Sequence, residues 1–247
     1  MKIIPLLQRQ LDDLLQLFYP PACLGCQAII ETRSDIAPLC IQCLHRLHPV
    51  PVSYTREEVL SRLSPCYLDM IFAVFQFDEV VQKLIHDIKY RKARKLAHQL
   101  AGYARSQIIS EVPWQKGDLV IPVPLFRLRE KERGFNQSSA IAAGFFAGSD
   151  LLVDDQILDR SRPTQSQTEL HRAERLQNVS GAFTLVQPQQ IRQRNIILVD
   201  DVVTTGATLN ECARILKEAG ALRVWGLTLA APTQPPELTG SSVKYQS

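Results

Sequence analysis

The residues with the most chemical content sit in one short run, IILVDDVVTTGATL, from Ile196 to Leu209. Four apolar residues lead into two adjacent carboxylates, Asp200 and Asp201, and then into Val203, Thr204, Thr205, Gly206, Ala207 and Thr208. A glycine in such a bend permits a tight backbone whose successive N–H groups point at one anion, and the threonines add hydroxyl donors. A phosphomonoester is the natural occupant. The run is not a Walker loop, because no Lys follows the glycine, and it lacks the G-x-G-x-x-G of a dinucleotide site. Bare carboxylates would repel a phosphate. They make sense if they accept hydrogen bonds from vicinal hydroxyls and if Mg²⁺ bridges nearby ligand oxygens. The expected ligand is therefore a phosphorylated sugar with free hydroxyls.

A second constellation lies near the N-terminus. Cys23 and Cys26 form one C-x-x-C pair, Cys40 and Cys43 another, and thirteen residues separate them. Each pair puts two thiolates on a tight knuckle, and two knuckles close a tetrahedron around zinc. Disulfides are the other reading. They are disfavoured because the N-terminal MKIIPLLQRQLDDLLQLFYPP is interrupted by Arg9, Asp12 and Asp13 and shows no cleavage site, which predicts a chain among reduced thiols in the cytoplasm. Four thiolates leave no open position, so the metal is expected to be structural; His45 and His48 are close enough in sequence to substitute for a cysteine.

The elements that must position these groups follow from periodicity. Ile196–Asp200 reads as a β-branched strand, Thr208–Ala219 as an amphipathic helix ended by Gly220, and RVWGLTLAA as another strand, a βαβ unit whose turn carries the phosphate bend. MIFAVFQFD and DLVIPVPL read as strands, and QSSAIAAGFFAG and the face Val81, Leu84, Ile85, Ile88 as helices. Such alternation predicts a parallel sheet covered by helices. Leu7, Leu11, Leu14, Leu15 and Phe18 predict an N-terminal amphipathic helix docked on the body. HPVPVSY reads as a linker, the polar stretch Arg160–Gln193 carries one helix near Thr168–Asn178, and the Pro- and Ser-rich tail reads as disordered.

With 247 residues, 45% hydrophobic and 21% charged, the chain can bury a full core. Its net charge of +3 is too small to mark a nucleic-acid binder, but Lys83 to Arg133 holds twelve Lys or Arg against five Asp or Glu. That half invites an anionic partner. No apolar run is long enough to span a membrane.

ILVDDVVTTGAT resembles the phosphoribosyl pyrophosphate (PRPP) motif of type I phosphoribosyltransferases. Together with the paired C-x-x-C module, IKYRKARKLA, IPVPLFRLREKERGFNQS and RSRPTQSQTELHRAERLQNVSGAF, it makes the chain similar to the ComF family of competence-related proteins. The resemblance implies an α/β fold, a type I phosphoribosyltransferase-like parallel sheet with helices on both faces, preceded by a small zinc-ribbon module. The expected division is a helix and zinc ribbon over 1–64, the phosphoribosyltransferase-like domain over 65–232, and a disordered tail over 233–247. It further implies that Asp200 and Asp201 hold the ribose hydroxyls, that residues 203–208 hold the 5′-phosphate, and that Arg127, Arg129 and Arg133 lie near the pyrophosphate, with Mg²⁺ bound alongside. The Arg160–Gln193 stretch resembles the loop that covers such a site. The acceptor stays unread. A rival function, single-stranded DNA handling with or without partners in the uptake machinery, is implied by the same family. It finds a basic strip in Lys89, Tyr90, Arg91, Lys92, Arg94 and Lys95, with the tyrosine available for stacking.

Overall fold

The structure, a computed structural model, describes residues 20–30, 34, 36, 38–91, 93–163 and 179–233. The expected helices near Leu7–Phe18 and Thr168–Asn178, the tail beyond Thr233, and Lys92 lie outside the described residues.

A parallel sheet organises the chain. Its strands are β1 (Met70–Gln76), β2 (Leu119–Pro122), β3 (Leu152–Val153), β6 (Asn195–Val202) and β7 (Arg223–Ala231), in the spatial order β1-β7-β6-β2-β3. A separate antiparallel hairpin pairs β4 (Leu158–Arg160) with β5 (Phe183–Leu185). The helices are α1 (Ile41–His45), α2 (Val52–Glu58), α3 (Glu79–Tyr90), α4 (Arg94–Ile108), α5 (Arg127–Arg133), α6 (Gln137–Phe145) and α7 (Ala207–Glu218).

The run Ile196–Val199 is buried on both sides because helices cover both faces of the sheet. Ile197 and Val199 pack with Phe72, Val74 and the apolar sides of α3, α4 and α6, whereas Ile196 and Leu198 pack with Ile71, Ile121 and α7. On α3 the buried Val81, Leu84, Ile85 and Ile88 follow the helical repeat, and Asp78 caps the helix by accepting the Val81 N–H at 2.9 Å. Helix α4 escapes the periodicity reading because much of its buried face is alanine: Ala97, Ala101 and Ala104. Those small residues serve close packing against α6, where a side chain at Gly144 would meet the His98 carbonyl at 2.2 Å.

The linker reading of HPVPVSY is corrected. His48–Val50 runs antiparallel along the edge of β1, with Val50 N–H donating to Val74 O and Gln76 N–H to His48 O, each at 2.9 Å. Helix α2 starts directly after Pro51 and is pinned by the Thr55 hydroxyl on Ile71 O at 2.5 Å. Prolines mark this segment as irregular in sequence, yet an edge strand and the residue before a helix both tolerate proline. The cysteine module thus shares a core with the sheet: Cys23, Leu39, Cys43 and Leu44 belong to the same buried cluster as Phe75, Val80 and Leu84.

Candidate functional site

Strand order reverses direction between β2, whose other neighbour is β3, and β6, whose other neighbour is β7. In open parallel sheets the crevice beyond the carboxyl ends at such a reversal is where ligands gather. A cleft of about 340 Å³ opens there, lined by Asp200, Asp201, residues 202–204 and 206–209, and side chains from α3, α5 and β4.

Because side chains alternate along a strand, Asp200 follows Ile196 and Leu198 toward α7, and Asp201 follows Ile197 and Val199 toward α3. Both still line the cleft, since the strand ends in it. Asp200 is part-exposed and accepts the Ser138 hydroxyl at 3.0 Å and the Asp201 N–H at 2.9 Å. Burial, then the neighbouring Asp201 charge, raise its pKa to about 7 against the opposing pull of the Asp201 N–H, Lys89 and Ser138. Asp201 is buried, accepts the Val202 N–H at 2.8 Å, and has Lys89 Nζ 2.9 Å from Oδ2. That ion pair lacks hydrogen-bond alignment.

The phosphate bend closes the other side. Gly206 caps α7 with φ of 75°, a left-handed conformation, and a Cβ there would come within 2.9 Å of Val59 Cγ1. The first turn of α7, the positive end of its dipole, borders the cleft at Ala207, Thr208 and Leu209. Thr205 is not in the wall; its hydroxyl faces the Ala207 N–H at 3.4 Å and braces the bend. Val203 is buried and lines the cleft from below.

Cations complete the wall. Arg129 and Arg133 project from α5, and Arg133 is oriented by Gln137 Oε1 at 2.8 Å and by the Tyr90 ring, 5.6 Å from its guanidinium carbon. Helix α5 ends at the left-handed Gly134, and Asn136 caps α6 by accepting the Ser138 N–H at 3.0 Å, which carries Ser138 to Asp200. Arg160 of β4 lies over the Phe183 ring at 5.2 Å and lines the cleft. Burial lowers its pKa, Asp200 works against that, and Arg129 and Arg133 reinforce it, so three guanidinium groups converge on one volume. Cationic side chains facing two carboxylates and a helix N-terminus suit a ligand that carries both anionic oxygens and hydroxyls.

The sequence model for the phosphoribosyl transferase domain matches residues 106–242. That span holds α5, α6, β6 and the phosphate bend, and so most of the cleft wall.

The chain belongs to the ComF family of phosphoribosyl transferase-domain proteins.

Similar to this ComF chain is Competence protein F of Haemophilus influenzae, 37% identical over 116 residues, which are 46% of the chain and only about half, 51%, of that protein. DNA utilization protein YhgH of Salmonella typhimurium is 29% identical over 210 residues, covering 83% of the chain and 88% of the relative. Among solved structures, a hypoxanthine phosphoribosyltransferase from Staphylococcus aureus superposes at a TM-score of 0.35 with 14% identity, over 56% of this chain and 65% of that one.

The cysteines of the ComF chain also come together. The Sγ atoms of Cys23, Cys26, Cys40 and Cys43 all lie within 4.8 Å of one another, and Cys26 and Cys40 are 3.8 Å apart. Zn–S bonds of about 2.3 Å in a tetrahedron put sulfurs about 3.8 Å apart, so the donor set fits zinc. The Cys40 N–H points at Cys23 Sγ at 3.3 Å and the Cys43 N–H at Cys40 Sγ at 3.5 Å, contacts that stabilise thiolates. Burial pushes the Cys23 thiol up, but N–H groups of Cys26, Cys40 and Gly25 outweigh it and bring the pKa to about 6; burial and the neighbouring thiols raise Cys43. From this module the Gly25 carbonyl accepts Lys83 Nζ of α3 at 2.8 Å.

Not every expected group is assembled. Arg127 is outside the cleft wall and ion-pairs with Asp159 at 3.7 Å. The basic strip is not one surface: it breaks between α3 and α4, Lys89 turns inward to Asp201, and Arg91 pairs with Asp87 at 3.5 Å. Tyr90, Arg94 and Lys95 stay exposed. The residues missed by sequence reading are Ser138, Gln137, Arg160 and, in its cleft role, Lys89. Arg160 begins a stretch whose polarity hides a three-residue strand, and only pairing to β5 places it.

Proposed function

We propose that this protein binds PRPP with Mg²⁺ in the cleft between β2 and β6 and acts as a phosphoribosyltransferase-like protein in DNA uptake and utilisation. The observation that carries the reading is the convergence, at one strand-order reversal, of the Asp200–Asp201 pair, the Gly206 bend and the cations Lys89, Arg129, Arg133 and Arg160. The bend and the α7 N-terminus receive the 5′-phosphate, the carboxylate side receives ribose hydroxyls, and the arginines receive the pyrophosphate oxygens. Bound Mg²⁺ would supply charge compensation between the ligand's oxygens, and Asp200 is the part-exposed carboxylate of the cleft wall that would face it.

Turnover is displacement at C1 of the ribose: a bond forms from an acceptor nucleophile to C1 as the bond from C1 to pyrophosphate oxygen breaks, through an oxocarbenium-like transition state. The chain's contribution is electrostatic, because charge accumulating on the leaving group falls among preorganised guanidinium groups. Support for a role with DNA comes from the names of relatives, Competence protein F and DNA utilization protein YhgH. The four cysteines are proposed to hold structural zinc. Calorimetric titration with PRPP and Mg²⁺, followed by a screen of bases and amines for pyrophosphate release, tests the reading. Micromolar PRPP binding is expected, and absence of binding at millimolar PRPP refutes it.

A second reading, single-stranded DNA handling without turnover, draws support from Tyr90, which lines the cleft and is 63% exposed, and from the exposed Arg91, Arg94 and Lys95 that follow it in the chain. PRPP binding without pyrophosphate release, alongside salt-sensitive DNA binding, selects it.

A further inference from the structure

The two carboxylates of the cleft are not equivalent. Asp201 is 5% exposed, and its Oδ2 has no accessible surface and no aligned hydrogen bond; its companion is Lys89 Nζ at 2.9 Å. Asp200 is open to the cleft, and its hydrogen bonds from Ser138 and the Asp201 N–H both fall on Oδ1. Lys89 is mostly covered, its side chain 26% exposed, but it lines the cleft. Its helix is held at several points: Lys83 donates to Gly25 O in the cysteine module, and Tyr90, the last residue of α3, lies under the Arg133 guanidinium.

From this asymmetry we infer that the pair divides its work. Asp201 is a standing anchor for Lys89, whose ammonium offers its remaining N–H donors to an anionic ligand, and Asp200 alone serves the ligand's hydroxyls and divalent cation. The inference rests on the phosphoribosyl reading of the cleft. An ammonium has three donors, and the contact with Asp201 is an ion pair without an aligned hydrogen bond, so donors stay available to a ligand. Pulling Lys89 away would strand a buried, uncompensated carboxylate, a far greater loss than that of a surface pair. A cation seeking Asp201 would have to evict Lys89 first, whereas Asp200 is reached directly. The pairing also eases an electrostatic problem of the site: the Lys89 ammonium offsets the Asp201 charge beside an incoming phosphate. Lys89 is thus a ligand-binding residue, and Asp201 acts on the ligand through it as a positioning residue.

The test compares Lys89→Met, Asp201→Asn, the double variant and Asp200→Asn, each titrated with PRPP with and without Mg²⁺ and each unfolded with urea. Loss of a charge-assisted hydrogen bond predicts that K89M weakens PRPP at least about tenfold in both conditions. D200N should abolish the gain from Mg²⁺. D201N, which frees Lys89 without removing it, should lose at least about tenfold less affinity than D200N. In urea, K89M should lower the midpoint, and adding D201N should recover most of the loss. K89M binding PRPP like the wild type, or D201N as damaging to affinity as D200N, overturns the inference. If the wild type binds no PRPP, the phosphoribosyl reading fails instead, and the urea cycle alone decides whether Lys89 and Asp201 are coupled; strictly additive effects there overturn the anchor.

Discussion

Asp200→Asn should make the protein more stable at pH 8 while destroying its proposed site. The folded chain holds the Asp200 proton up to about pH 7, whereas the unfolded chain releases it near 3.8. Between those values the folded state binds more protons, so the Asp200 contribution is fully present below about pH 4 and is lost as pH rises through about 7. A rise from 3.8 to about 7 corresponds to about 4 kcal/mol between the two ionisation states. Asp200 keeps contact with cleft water, so this is a ceiling, and about 2 kcal/mol is the working expectation. Asparagine keeps an acceptor for the Ser138 hydroxyl and the Asp201 N–H while carrying no charge. In magnesium-free buffer the variant should match the wild type near pH 4 and exceed it by about 2 kcal/mol at pH 8, a gain of roughly 4–8 °C in melting temperature for a domain of this size. Urea titrations at pH 4, 6 and 8 read the difference. An advantage that does not grow with pH, or a variant less stable at pH 8, would show that desolvation and Asp201 do not govern this carboxyl.

Three further outcomes are expected. Gly206→Ala forces a side chain into a left-handed backbone and against Val59 and Leu63, so it should lower unfolding free energy by about 2 kcal/mol or more, read in urea, and abolish PRPP binding at calorimetric concentrations. Protein purified without added zinc should carry about one equivalent by metal analysis and melt several degrees lower after chelation; about zero equivalents would remove the metal from the account. If the second reading holds, neutralising Arg91, Arg94 and Lys95 together should reduce the log–log salt slope of single-stranded DNA binding by about 2, and an unchanged slope clears those residues of the role.

The strands and their alternation with helices were legible because a sheet buried on both faces demands continuous apolar runs. RVWGLTLAA is a strand over the expected span, Arg223–Ala231, and the helix after the phosphate bend ends within a residue of expectation. The bend itself was legible for a related reason: an αL glycine between threonines after paired acids is a local pattern, written in adjacent residues. Where the reading fell short, the signal was non-local or masked. Helix α4 hides behind alanines, and the edge segment His48–Val50 behind prolines that suit an edge but resemble a loop.

Chemistry carried by neighbouring residues was therefore determined by sequence alone: the carboxylate pair, the anion-binding turn and the two cysteine knuckles each need only spacing. Tertiary structure decided the partners. Ser138 reaches Asp200 across 62 residues, Arg160 enters the cleft through a short hairpin, and a lysine that reads as part of a solvated basic strip turns inward to neutralise Asp201. Charge in sequence carries no direction; only the packing of α3 against the sheet and the cysteine module determines which cations face solvent and which meet a buried carboxylate.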